Sequence, residues 1–219
     1  IVDSLVGSEM CIRDSLSALP NFIIMAPSNQ NELIRMINTS VLIDDRPSAF
    51  RYPRGAGEID NTNLNYDSLE IGKGIIIKEG NDVAILNLGT RMQSCEEAIK
   101  LLNSHNIYPT LADARFAKPI DKNLIDNLLD HHKYLITIEE GSSGGFGSSV
   151  LNYIHNERRK STLTKVNNIY FPDKFIDHQS PEDQYKEIGM DADSIANKIT
   201  KFYQDNIINF ETYNKNIKN

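Results

Sequence analysis

The 219-residue sequence has no tryptophan and only two cysteines, Cys11 and Cys95. Two thiols cannot build a disulfide framework, and neither sits at the spacing of a metal site. Cys95 falls inside a helical pattern and reads as a small buried residue rather than a nucleophile. No stretch approaches the ~18 uninterrupted apolar residues that a membrane span requires. No charged-then-apolar leader precedes a small-residue cleavage site, so the expected address is cytoplasmic, with no membrane partner. Positive charge is scarce too: 23 Lys and Arg against 30 Asp and Glu leave a formal net charge of -7. Phosphate backbones are bound through clustered Lys and Arg, so no nucleic acid is expected as the main partner. The one basic knot, Arg158-Arg159-Lys160, follows a helical pattern and reads as its solvated C-terminal turn.

What the sequence has is alternation of strand and helix patterns. Residues 1–15 stand apart, because Ser8-Glu9-Met10-Cys11-Ile12-Arg13-Asp14-Ser15 looks like a translated library adaptor, and they are set aside as an adaptor-derived artefact. From Leu16 on, Phe22-Ile23-Ile24-Met25 is a continuous apolar run of a strand buried on both faces. Ser28 is placed to cap a helix whose apolar face carries Leu33, Ile34, Met36, Ile37, Val41 and Leu42. A second strand over residues 48–54 completes the strand–helix–strand signature of a parallel sheet. Residues 56–80, rich in Asn, Asp, Gly and Ser, read as a linker carrying one short strand at 74–78.

The alternation is fuller in the second half. A strand over 83–88 ends at Gly89, and Thr90 is placed to cap the helix that buries Met92, Cys95, Ala98, Ile99 and Leu102. Residues 108–113 form a weaker strand, with Pro109 marking its start or an edge. A helix opened by Pro119 and Asp121 carries Leu124, Ile125, Leu128 and Leu129, and His131 and His132 serve its C-terminus. The strand at 134–138 runs into a glycine-rich loop, residues 139–149, followed by a helix. Such a loop can cradle a phosphate, but Glu139 and Glu140 would repel one, and glycines admitting close packing are the preferred reading. A further strand over 165–171, a short helix between Ser180 and Gly189, and a last helix with Ile195, Ala196, Ile199 and Phe202 precede a frayed tail, 205–219.

The candidate site is Ser48-Ala49-Phe50-Arg51-Tyr52-Pro53-Arg54-Gly55. Pro53 stops the strand and Gly55 lets the backbone turn away, which sets Arg54 at the carboxyl end of a strand, where α/β folds gather ligands. Two readings are open: a surface ion pair, or a planar fork for phosphate or carboxylate oxygens.

Several runs together resemble 1-deoxy-D-xylulose-5-phosphate synthase, of the transketolase superfamily. They are Met25-Ala26-Pro27-Ser28 with Asn31-Glu32-Leu33, Arg51-Tyr52-Pro53-Arg54-Gly55, Ile71-Gly72-Lys73-Gly74, and Asp113-Ala114-Arg115-Phe116 with Lys118-Pro119. Glu139-Glu140-Gly141 with Gly144-Gly145-Phe146-Gly147, Pro172-Asp173-Lys174-Phe175-Ile176 and Gly189-Met190-Asp191 continue the pattern. The resemblance implies an α/β fold: the end of a pyrimidine-binding parallel-sheet domain (16–55), then a three-layer transketolase C-terminal-type domain (81–204). It implies a homodimer that condenses pyruvate with glyceraldehyde 3-phosphate on thiamine diphosphate and Mg²⁺, with loss of carbon dioxide, feeding isoprenoid, thiamine and pyridoxal synthesis. By the same resemblance Arg54 holds the aldehyde's phosphate and Arg51 supports it from behind. The family's cofactor-binding, metal-binding and catalytic motifs precede the part matched here, so none is expected in this chain, no cofactor is expected to bind it, and the chain alone is expected to be inactive. A transketolase, a 2-oxo-acid dehydrogenase beta-type subunit and a non-catalytic dimerisation module are the alternatives.

Overall fold

The longest apolar strands are the centre of the molecule. In the computed structural model, which describes residues 10–52, 65–174, 176, 177 and 179–217, β4 (Val83–Leu88) and β7 (Tyr134–Glu139) pair in parallel and every residue of both is buried. β5 (Thr110–Asp113) and β8 (Lys165–Ile169) flank them, and β3 (Ile75–Lys78) closes the sheet antiparallel to β5, in the order β3-β5-β4-β7-β8. Because side chains alternate across a strand, the sheet has two cores. Val83, Ile85, Ile136 and Ile138 face α3 (Met92–Ser104) and α7 (Ala192–Ile217), whereas Ala84, Leu86 and Leu135 face α4 (Lys122–His131) and α5 (Phe146–Asn152). Helices on both faces of a mostly parallel sheet make three layers.

The N-terminal part is a smaller sheet, β2-β1-β6. β1 (Ile23–Met25) pairs in parallel with β2 (Ser48–Phe50), joined by α2 (Gln30–Leu42), and antiparallel with β6 (Phe116–Lys118). β6 comes from the other half of the chain, and the sequence pattern missed it because three residues show no period. It makes the two parts one body, as does the packing of Ile24 and Ala26 with Leu86, Leu88 and Ala114. The remaining elements are α1 (Met10–Ser17), α6 (Pro181–Ile188) and a π-helical turn, Tyr153–Glu157.

Several expectations change. Of the two readings of Pro109 the edge position fails, because β5 is an inner strand, and the strand start holds, because Pro109 directly precedes Thr110. β3 belongs to the large sheet, so that sheet takes in residues read as linker. The helix caps shift by one residue: Asn29, not Ser28, accepts the Glu32 amide, and Arg91, not Thr90, holds the cap position of α3. α2 buries Glu32, Met36 and Thr39, while Ile37, Val41 and Leu42 of its apolar stripe are exposed. α7 continues through Ile217 where a frayed tail was expected. Arg158 is not a solvated charge; it bridges Asp126 at 2.7 Å and Asp130 at 2.6 Å, drawing the π-helical turn against α4. Residues 1–9 of the segment read as adaptor-derived lie outside the described residues, and Met10 to Ser15 are part of α1.

Phe116 of β6 is fully buried in the core of the small sheet, among Ile23, Met25, Met36 and Leu69. Phe116→Ala is expected to lower the unfolding free energy by ~3–5 kcal/mol, read from urea titration of the purified chain.

Candidate functional site

The carboxyl ends of the two sheets' strands meet. Ala26, just past β1, donates its amide to the Arg115 carbonyl at 2.9 Å, and a Cβ built on Gly89, just past β4, would stand 3.3 Å from the Ala26 methyl. Ser28 donates to Asp113 at the end of β5, at 2.6 Å. Arg51, just past β2, reaches Glu140, just past β7. Strand ends are where α/β sheets take ligands, and here they face one another.

Glu140 is 5% exposed and holds the centre of this seam. Its carboxylate accepts hydrogen bonds from the Thr90 hydroxyl at 2.5 Å and the Tyr185 hydroxyl at 2.9 Å. It pairs with Arg91 at 2.7 Å and Arg51 at 3.3 Å, and its carbonyl accepts a second Arg51 bond at 2.7 Å. The Arg91 guanidinium lies 3.4 Å over the Tyr185 ring, a cation–π contact that sets its plane. Burial opposes the ionised form of Glu140, but Arg91 and Arg51 outweigh it and hold the carboxyl below the usual carboxylate range. The Thr90 hydroxyl donates to this carboxylate, and the cap position of α3 falls one residue later, at Arg91.

Glu139 faces the opposite way. It accepts the Phe146 amide at 2.9 Å and the Gly147 amide at 2.7 Å, and pairs with Arg13 of α1. A carboxylate therefore occupies the helix N-terminus where a phosphate would have to sit. A Cβ on Gly147 would stand 2.7 Å from the Thr137 hydroxyl, so this glycine serves close packing of α5 on β7 and β8.

A second cluster sits beside the first. Asp113 accepts the Arg115 amide at 2.9 Å, and the Arg115 side chain pairs with Glu32 at 2.7 Å, itself paired with Arg35 at 3.1 Å. Burial pushes the Asp113 carboxyl up to about 6, against the opposing hydrogen bonds from Ser28 and the Arg115 amide. Cys95 is fully buried, with its thiol pushed up by burial and 3.7 Å from the Asn87 amide oxygen.

Of the residues expected from sequence, Arg51 is placed in the seam, and Arg54 lies outside the described residues. Glu140, Arg91, Thr90, Tyr185 and Asp113 were missed as partners. The signal that was available for Glu140 was an acidic pair ending a strand of otherwise apolar residues.

Residues 72–195 match the family described as Transketolase, C-terminal domain. The chain belongs to that family. Within it, the sequence is similar to 1-deoxy-D-xylulose-5-phosphate synthases. It is 44% identical over 183 residues to a probable synthase 2, chloroplastic, of Oryza sativa subsp. japonica, and 47% identical over 184 residues to a synthase 1, chloroplastic, of Cannabis sativa. Each match covers 83% of this chain and 26% of the relative, so the chain spans about a quarter of the length of these relatives. Among solved structures, a split-gene transketolase in an inactive β4 tetramer superposes with a TM-score of 0.77 at 25% identity, covering 88% of this chain and 61% of that one. A transketolase from Campylobacter jejuni superposes with a TM-score of 0.59 at 18% identity, covering 85% and 27%, and shows the fold alone.

The described residues do not fit a metal-bound diphosphate. They contain no group of three or more His, Cys, Asp or Glu able to hold a metal. The carboxylates described at and beside the seam are each engaged, Glu139 by backbone amides, Glu140 by two arginines, Asp113 by Ser28 and a backbone amide, and Glu32 by Arg115 and Arg35.

Asp113 gives a pH test. Its folded value lies above the ordinary 3.8, so the folded state holds a proton that the unfolded chain has lost between pH 3.8 and about 6. Stability from this group is therefore fullest below pH 3.8 and falls as pH rises to about 6. Asp113→Asn is expected to remove that fall, up to ~3 kcal/mol, seen as the difference between the two chains' urea stabilities across pH 4 to 7.

Proposed function

We propose that this chain is the C-terminal part of a 1-deoxy-D-xylulose-5-phosphate synthase, a cytoplasmic homodimeric transferase joining pyruvate to glyceraldehyde 3-phosphate with loss of carbon dioxide. The observation that carries the reading is identity of 44% and 47% to two synthases over 83% of the chain. Thiamine diphosphate, when bound with Mg²⁺ in the whole enzyme, supplies the electron sink for the decarboxylation. The described residues here do not fit that group, and the chain's own share is acceptor binding and assembly.

Within that share Arg54 takes the phosphate of glyceraldehyde 3-phosphate. A guanidinium fork suits phosphate oxygens better than an ammonium does. Supporting this, Arg51 ends β2 at the junction of two sheets' carboxyl edges, the edge at which such folds bind ligands. Arg51 itself is engaged by Glu140, so its role is to hold the strand rather than to meet the substrate.

In the full-length enzyme that carries this chain, Arg54→Ala is expected to raise the KM for glyceraldehyde 3-phosphate by ~10–100-fold, the equivalent of one or two hydrogen bonds to a charged group. The KM for pyruvate is expected to stay as it was; an unaltered KM for the aldehyde sinks the assignment. The purified 219-residue chain, given both substrates, Mg²⁺ and thiamine diphosphate, is expected to form no product, and product formation overturns that part of the reading.

A non-catalytic pairing module is the second reading, favoured by the superposition on a transketolase chain that forms an inactive tetramer. Full-length protein that rescues synthase-deficient cells decides for the first reading over this one.

A further inference from the structure

Glu139 is 1% exposed at the end of β7, and the two backbone amides that it accepts carry no net charge. A carboxylate buried this far calls for a cation, and the loop that follows is shaped to admit one. We infer that Glu139 and the loop through Gly145 form a binding site for an arginine side chain, by which the large sheet holds a segment from outside its own domain. In this chain the occupant is Arg13 of α1.

Arg13 is itself buried, and its Nη2 donates to the Glu139 oxygen that also accepts the Phe146 amide. A Cβ on Gly145 would stand 2.6 Å from that nitrogen, and one on Gly141 would overlap it. The same two Cβ atoms would each stand 2.6 Å from the Glu139 oxygen, so Gly141 and Gly145 clear room for the ion pair as a whole. Gly147 is different, because its Cβ would meet Thr137 and Asn168 instead.

The contacts are those of a planar fork. Nε and Nη2 of Arg13 both donate to one oxygen of Asp14, at 3.1 Å and 3.0 Å, while Nη2 also donates to Glu139. An ammonium presents its donors from a single point and does not reproduce a fork that meets one carboxylate with two nitrogens. The other Asp14 oxygen accepts the Ser142 hydroxyl at 2.8 Å, so the loop grips the occupant's neighbour as well.

Glu139, Gly141, Ser142 and Gly145 lie within residues 72–195, which match the C-terminal domain family, and Arg13 lies outside them. The site is thus a feature of the domain, and the arginine is its ligand. Lys118 holds the other end of α1 by donating to the Ser17 and Leu19 carbonyls, at 2.9 Å and 2.6 Å. Removing the Arg13 side chain therefore empties the site while the helix keeps its second anchor.

That difference makes chemical rescue the test. Arg13→Ala in the 219-residue chain is expected to raise the equilibrium constant for unfolding, read from urea titration, by about 10–100-fold. Methylguanidinium at about 20 mM is expected to recover about tenfold of that loss, and methylammonium at the same concentration to recover none. Recovery by both ions alike overturns the guanidinium preference, and recovery by neither overturns the site. Arg13→Ala combined with Glu139→Gln is expected to show no response to methylguanidinium; a response as large as that of the single variant places the ion elsewhere and overturns the inference. Should Arg13→Ala not fold, Arg13→Lys takes its place, since it keeps the charge and gives up the fork. A rise of about tenfold in the unfolding constant is then expected, and stability equal to that of the parent chain overturns the inference.

Discussion

A carboxylate buried to 5% exposure has to be matched or it is lost as a charge, and the matching of Glu140 organises the seam of this molecule. Two cations and two hydroxyls converge on it from β2, the turn before α3, and α6. Removing water from a charge is expensive, and only good geometry with every remaining lone pair filled repays the loss. That requirement fixes how the small sheet stands against the large one, because Arg51 can fill its place on Glu140 in few orientations. The same low-dielectric setting that makes the unmatched charge costly makes the matched one directional.

Apolar packing alone would leave the angle between the two parts less well defined. Ile24 and Ala26 bury themselves among Leu86, Leu88 and Ala114, but such contacts tolerate sliding. The strand β6 removes one freedom by pairing with β1, and the Ser28–Asp113 bond removes another. Among the described residues no cation pairs directly with the Asp113 carboxylate, unlike that of Glu140, and burial therefore dominates and pushes it up to about 6. Asp113 at the end of β5 and Glu140 just past β7, on the two strands that flank β4, thus hold opposite protonation tendencies for one reason: Glu140 has guanidinium partners and Asp113 has a hydroxyl and an amide.

Much of the fold was legible because it depends on local pattern. The continuous apolar runs at 83–88 and 134–138 announced strands buried on both faces, and the spacing of Leu124, Ile125, Leu128 and Leu129 announced α4. The site was legible only at its margin. Arg51 and Arg54 drew notice through Pro53 and Gly55, which are local signals, but the partner of Arg51 lies 89 residues away. Ser28 and Thr90 look like helix caps in sequence, and each is taken by a distant carboxylate, which no local rule reveals. Ile37 and Val41 carry a helical apolar period, yet among the described residues nothing covers them.

By itself the sequence determined most of the strands and helices, the mostly parallel character of the large sheet, the buried state of Cys95 and the likeness to a family of synthases. It did so because backbone period and side-chain hydrophobicity act within a few residues. Tertiary structure alone decided that β6 would join the small sheet, that Glu139 would fill the N-terminus of α5 and that Glu140 would receive Arg51. Those pairings depend on where water is excluded, and exclusion of water is a property of the packed body rather than of any stretch of chain.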